Sequence, residues 1–287
     1  MPVGIVTDST CDLPAARLLK LGVAAVPLRI IIGDEVYRDW RDVEPGTLYR
    51  WMLEQGVVPQ VTPPEVADFT AVYRRYLSAY DEIISIHHAG TLSDTLLRAT
   101  QAALELGASK RIHHLDSYSS GAALAELVMA AARQAANGAT AAQVIDVAEQ
   151  IRERIYTLLT PASLEWLELA EGISRSQAWL SKLLNLRPIF SLQDGELVLA
   201  GSVRQSQVVG ALIRQLKERF DGEPLQITLA VAGREYQRVD QLRAALSASS
   251  IKLSQGRVQL LGPQLGAYLG PGTLAVCAYP TSSAPTA

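Results

Sequence analysis

The sequence predicts a two-domain α/β protein whose first domain is a mostly parallel sheet with helices on both faces. Three observations carry this reading. Short apolar runs alternate with segments of helical spacing, the order that builds strand–helix–strand units. A length of 287 residues suits two domains. The pattern also changes near residues 138–160, where a long helix pair gives way to hairpin signals. The expected domains are 1–150 and 151–281, with 282–287 as a frayed tail of Ser, Thr, Pro and Ala.

Taken in order, Val3–Thr7 reads as a buried strand and Leu13–Leu21 as a helix, with Pro14 in its first turn and Gly22 beyond its end. Val26–Ile32 and Glu35–Tyr37 flank Gly33-Asp34, a pair suited to a type II′ hairpin turn. Phe69, Val72, Tyr73, Tyr76, Leu77 and Tyr80 share one face of a helix over 65–80. Strands at Ile83–Ile86 and Arg111–Leu115 enclose a helix at Thr95–Leu106. Gly121–Ala136 is an alanine-rich helix ended by Asn137-Gly138, and Thr140 with Gln143 forms a capping-box signature for the next helix. In the second half, Ile155–Leu159 reads as a strand and 163–184 as helical, interrupted by Gly172. Arg187–Leu192 and Glu196–Val203 flank Asp194-Gly195, a second hairpin signal. Helices at 206–219 and 239–247 alternate with strands at 226–231, 257–261 and 273–279.

Composition narrows the function. The chain is 48% hydrophobic and 19% charged, with net charge −3 and no run of Lys or Arg. That argues against nucleic acid or an anionic membrane surface as the main partner. No apolar stretch reaches the roughly 18 residues of a membrane span, and the N-terminus does not read as a signal peptide. Two cysteines far apart in sequence, Cys11 and Cys277, point to no disulfide framework and to a reducing cytoplasm.

Three polar stretches follow strands. Thr7-Asp8-Ser9-Thr10-Cys11-Asp12 can cap a helix through Thr10 or Asp12, but it also sits where open α/β sheets bind ligands. Thr62-Pro63-Pro64-Glu65 fits a capping box, and Leu92-Ser93-Asp94-Thr95 offers Ser93 or Asp94 as a cap. All three would lie on one sheet edge, where helix N-termini and hydroxyls suit a carboxylate or phosphate. The glycine-rich stretch 261–272 is neither a dinucleotide fingerprint nor a P-loop; it reads as a loop whose backbone approaches something closely. His87-His88 and His113-His114 are adjacent pairs, poorly arranged to hold one metal. No base stands beside Cys11, and no Gly-x-Ser-x-Gly elbow occurs. No catalytic residue, metal or cofactor is assigned.

The run Val6-Thr7-Asp8-Ser9-Thr10-Cys11-Asp12-Leu13 resembles the opening signature of DegV-family proteins. The similarity continues through Val26-Pro27-Leu28-Arg29-Ile30, Tyr37-Arg38-Asp39, Leu92-Ser93-Asp94-Thr95, Asp116-Ser117, Val203-Arg204 and the Gly266–Gly272 loop, in the family's order and over nearly the whole chain. The resemblance implies two α/β domains that bind one long-chain fatty acid, with the carboxylate near the domain interface and the acyl chain in an apolar tunnel. Some members present that acid to a separate kinase subunit, which makes an acyl-phosphate for phospholipid synthesis. The implied roles are Ser93 as the carboxylate-binding serine, with Thr95 after it and Thr62 in the second hydroxyl-bearing loop. Asp8, Ser9 and Thr10 would shape the floor, while Arg204 and Tyr268 would meet the head group or its phosphate.

The chain departs from the family pattern at several points. Val58-Pro59-Gln60-Val61-Thr62 replaces a loop with two more hydroxyls, Asp94 replaces a glycine, Gly172 replaces an arginine and Tyr268 replaces a histidine. Two alternatives therefore stand beside the carrier: an enzyme acting alone on a small acidic or phosphorylated substrate, and a lipid-sensing protein without phosphotransfer.

Overall fold

A computed structural model describes residues 2–169, 186–233 and 236–283. The first half runs β1 (Val3–Asp8), α1 (Ala15–Leu21), β2 (Val23–Val26), β3 (Arg29–Ile32), β4 (Glu35–Arg38), α2 (Pro45–Gln55), β5 (Gln60–Thr62), α3 (Val66–Leu77), β6 (Glu82–His87), α4 (Thr95–Glu105), β7 (Ile112–Asp116), α5 (Ala122–Ala136) and α6 (Ala141–Arg154). The second half runs β8 (Tyr156–Thr160), α7 (Glu165–Leu169), β9 (Arg187–Gln193), β10 (Glu196–Val203), α8 (Val208–Phe220), β11 (Leu225–Val231), α9 (Tyr236–Ser247), β12 (Leu253–Leu260), α10 (Pro263–Leu269) and β13 (Leu274–Pro280).

The first sheet is parallel throughout, in the order β2-β1-β6-β7. Parallel strands must be covered on both faces, and they are. Val6, Val26 and Ile83 pack under Phe69 and Tyr73 of α3 and Ala99 and Ala102 of α4. Ile5, Ile84 and Ile86 pack on the other face under Leu124 and Val128 of α5 and Val144 and Ile151 of α6. A separate antiparallel ribbon, β4-β3-β5, carries the hairpin at Gly33, whose φ of 59° fits the first central position of a II′ turn.

The second half forms a mixed six-stranded sheet, β10-β9-β8-β13-β11-β12. Its outer face packs on Leu212 and Leu216 of α8 and Leu242 of α9. Its inner face meets α5, which is therefore buried along most of its length between the two sheets. The alanine-rich composition follows: small side chains let a helix approach two sheets at once. Glu126 of α5 is the polar key in that layer. Its carboxylate accepts hydrogen bonds from Gln226, Thr228 Oγ1 (2.7 Å), Arg257 and Tyr279 OH (3.2 Å), all from the six-stranded sheet.

Several expectations are corrected. The polar opening turn does not cap α1, whose N-cap is Pro14; it forms a 3-10 turn, Ser9–Cys11, capped by Asp8 and closed by Asp12 at φ 55°. Thr62 lies in β5, and the cap of α3 is Glu65, whose N–H donates to Asp68 Oδ2 (2.9 Å). β2 begins at Val23, α2 has no counterpart in the sequence expectation, and the glycine-rich stretch contains α10. The helix expected over 163–184 is described only as α7; its remainder, with Gly172, lies outside the described residues, as do 284–287 of the expected tail.

Candidate ligand-binding site

The opening turn is a closed knot of hydrogen bonds. Asp8 is fully buried at the end of β1. Its Oδ1 accepts from the Thr10 N–H (3.0 Å) and the Thr10 hydroxyl (2.6 Å). Its Oδ2 accepts from His87 Nδ1 (2.9 Å) and the His88 N–H (3.1 Å). Four donors fill the four lone-pair positions of a carboxylate. Burial pushes the Asp8 pKa up, but His88, His87 and Thr10 outweigh it and hold the carboxyl below its ordinary range. Ser9 donates to Asp39 Oδ2 (2.7 Å) and accepts from the Leu28 N–H (3.0 Å). Thr10 Oγ1 also meets His88 Nδ1 at 3.2 Å. These three side chains spend most of their hydrogen-bonding capacity within the protein and have little left to offer a ligand. A saturated, buried Asp8 is likewise not placed to move a substrate proton.

The knot extends in two directions. With His87 donating to ionised Asp8, its Nε2 accepts from Ser85 Oγ (2.7 Å), and Ser85 meets Tyr73 OH (2.8 Å). Asp12 reaches the second half, where Oδ2 accepts from the Gly262 N–H (2.7 Å) at the cap of α10. Burial pushes Asp12 well above the ordinary range. Cys11, buried beside these carboxylates, has its thiol pushed up by burial and so stays protonated.

The glycines of α10 explain the close approach expected there. A Cβ on Gly262 would lie 1.8 Å from Asp12, on Gly266 1.8 Å from the Tyr49 hydroxyl, and on Gly270 2.0 Å from Trp166. The backbone approaches the protein's own side chains, with Tyr49 OH donating to the Leu261 carbonyl (2.7 Å).

Ser93 and Thr62 stand differently. Ser93 is half-buried just before α4. Its oxygen accepts from the Thr95 N–H (3.3 Å) and meets the buried Thr95 hydroxyl at 2.9 Å. With Thr95 as donor, both Ser93 lone pairs are occupied and its O–H is free to donate outward. Thr62 is half-buried, and its hydroxyl has no hydrogen-bond partner among the described residues. The two loops are tied by Glu65, which bonds Arg29, the residue opposite Thr62 across β3–β5, and Arg98 of α4 (2.7 Å). Sequence reasoning did not single out this Arg29–Glu65–Arg98 group. Residues on three separate elements supply it, and only the ribbon register brings them together.

Tyr268 is half-buried on α10, which packs against β5, the strand that carries Thr62. Arg204 is not brought to this edge. It is exposed beyond the end of β10, while the opposite end of that hairpin touches the Ser93 loop. There Thr91 Oγ1 donates to the Gly195 carbonyl (2.9 Å), roughly 25 Å of strand away. Behind the edge lies an apolar cluster drawn from both halves: Ile30, Leu48 and Met52 with Phe190, Leu192, Leu265 and Leu269. Among the described residues no group of three His, Cys, Asp or Glu could hold a metal, and no helix is long and apolar enough to cross a membrane.

Comparison with known proteins agrees with this architecture. The profile of the DegV family, described as uncharacterised proteins, matches residues 2–281. A DegV domain-containing protein of Deinococcus radiodurans is 27% identical over 287 residues, covering 99% of this chain and all of the relative. One of Streptomyces coelicolor is 30% identical over 280 residues, covering 96% of this chain and 97% of the relative. Among solved structures, the fatty-acid-binding DegV family protein of Thermus thermophilus superposes with a TM-score of 0.90 at 29% identity, over 98% of this chain and all of that one. A stearic-acid-binding protein of Eubacterium ventriosum shares the fold at a TM-score of 0.86 and 19% identity, over 97% of this chain and 98% of that one. The chain belongs to the DegV family.

Proposed function

We propose that this protein is a cytoplasmic carrier of one long-chain fatty acid, with the carboxylate held by Ser93 and Thr62 at the edge between its two halves. The observation that carries the reading is the division of labour among the hydroxyls. Those of Ser9 and Thr10 are consumed inside the protein, while the half-buried Ser93 hydroxyl meets only Thr95 and the half-buried Thr62 hydroxyl meets no side chain among the described residues. The halves divide near residue 150, and the apolar cluster they share is the wall along which the acyl chain runs. Fatty-acid binding by the Thermus relative supports the ligand class. Each hydrogen bond to the charged head group contributes about 1.5–3 kcal/mol, and each buried methylene about 0.8 kcal/mol. The tail therefore supplies most of the affinity and the hydroxyls fix its direction.

In this reading the protein's own residues perform no reaction. Phosphorylation of the carboxylate, where it occurs, belongs to a separate kinase subunit, with Tyr268 beside the head group. Titration with palmitate tests the assignment: Ser93→Ala should weaken binding roughly tenfold. Unchanged affinity in that variant contradicts the placement of the head group.

A further inference from the structure

β9 supplies Phe190 and Leu192 to the apolar cluster behind the edge, and its hairpin with β10 turns at Asp194-Gly195. A turn at the edge of a sheet ordinarily projects into water. Gly195 is buried instead. Both turn residues have positive φ, 48° and 83°, as a type I′ turn requires. Asparagine would meet that backbone demand at the second position as well. The surroundings exclude it: a Cβ on Gly195 would lie 2.3 Å from Thr91 Oγ1 and 2.7 Å from Ala89 Cβ. The tip is thus seated in the loop between β6 and α4, the loop that carries Ser93.

The first half holds that loop by its backbone. The Ala89 N–H donates to the Ser119 carbonyl (2.8 Å) and the Gly90 N–H to Asp116 Oδ2 (3.1 Å), while the Leu92 N–H turns back to the Ala89 carbonyl (2.9 Å). Thr91 ties the loop to the second half, its hydroxyl donating to the Gly195 carbonyl (2.9 Å). Alongside, a cavity of about 590 Å³ separates the hairpin from the first half, with Gln193 and Asp194 on one side and Ser117, Tyr118 and Arg152 on the other. The tip therefore crosses a gap to reach Thr91.

We propose that Thr91 is a positioning residue for fatty-acid binding: its bond to Gly195 sets the separation between the Ser93 hydroxyl and the tail wall on β9. The proposal rests on the carrier reading and deepens it. A hydrogen bond weakens steeply with distance and angle. A head group held by Ser93 and a tail held along β9 therefore need their two supports at a fixed spacing. Thr91 does not touch the ligand; it acts through Ser93.

The test measures the affinity of the full-length protein for palmitate and for hexadecanol, which has the same tail length and no carboxylate, by displacement of a fluorescent fatty acid. Thr91→Val keeps the side-chain shape and removes the hydroxyl. It should weaken palmitate roughly fivefold and hexadecanol less than about twofold, since bonds to a charged head group are the stronger ones. Thr91→Ser, which restores the hydroxyl, should bind palmitate as the wild type does. Adding Thr91→Val to Ser93→Ala should cost palmitate nothing further. Unchanged palmitate affinity in Thr91→Val, where Ser93→Ala does weaken it, overturns this proposal and leaves the carrier reading intact. So does an equal loss for both ligands, or an additive loss in the double variant. Unchanged palmitate affinity in Ser93→Ala overturns the head-group placement and this role for Thr91 with it. A wild type that binds neither ligand overturns the carrier reading itself.

Discussion

Asp39 shows how tightly single residues are constrained in the opening turn. Burial pushes its carboxyl up to about 8, and the charge of Asp8 adds to this, against hydrogen bonds from the Ser9 hydroxyl and the Trp40 N–H. The ordinary value is 3.8, so the folded chain binds a proton that the unfolded chain releases over that interval. Stability from this group is fully present below its ordinary pKa and is lost as pH rises toward 8. Asp39→Asn mimics the protonated form. Denaturant titrations between about pH 5 and pH 8 should show the wild type losing stability relative to the variant by about 1 kcal/mol per pH unit. Parallel curves would mean that Asp39 is ionised in the fold. The sequence placed Asp8, Ser9, Thr10 and Asp12 together after a strand, where they could cap a helix or meet a ligand. It did not show that their partners are Asp39, His87 and Gly262, because the fold brings those from distant segments.

At the scale of elements, α10 is the piece least legible beforehand. Its glycines and prolines signal a loop, yet the glycines are spaced four apart so that one helix face can press on Asp12, Tyr49 and Trp166. Local propensity lost to tertiary contact. Gly262→Ala would place a methyl group on the Asp12 carboxylate. It should cost about 2 kcal/mol or more by the ordinary penalty for overpacking, visible as a lowered thermal midpoint. A midpoint equal to wild type would contradict the packing described for this helix. The strongly periodic elements were readable by contrast. α3 follows its apolar face, and α6 begins at Ala141, capped by Thr140 with Gln143 as its capping partner. The β9–β10 hairpin turns at Asp194-Gly195, both at positive φ.

At the scale of the molecule, the two sheets share α5, and Glu126 is that helix's polar contact with the six-stranded sheet. Four side chains of the six-stranded sheet converge on it. Glu126→Ala would leave the partly buried Arg257 without its carboxylate and should destabilise the protein by ~3 kcal/mol in urea unfolding. A loss within experimental error would mean that the Glu126 contact adds nothing to the apolar packing of α5. The alternation of strands and helices made the two-sheet architecture legible. The sharing of one helix between the sheets was not, since nothing local in an alanine-rich helix says how many partners it has. The same limit applies to the site. Ser93 and Thr62 could be named from family resemblance, but the Glu65 tie between their loops depends on strand register.

This edge and the apolar cluster behind it are proposed to hold one long-chain fatty acid. Native mass spectrometry of the purified protein, followed by solvent extraction and identification of the released molecule, tests it most directly. One fatty acid per chain is expected, either co-purified or taken up on incubation with a fatty-acid mixture. A protein that carries no lipid and takes up none would contradict it.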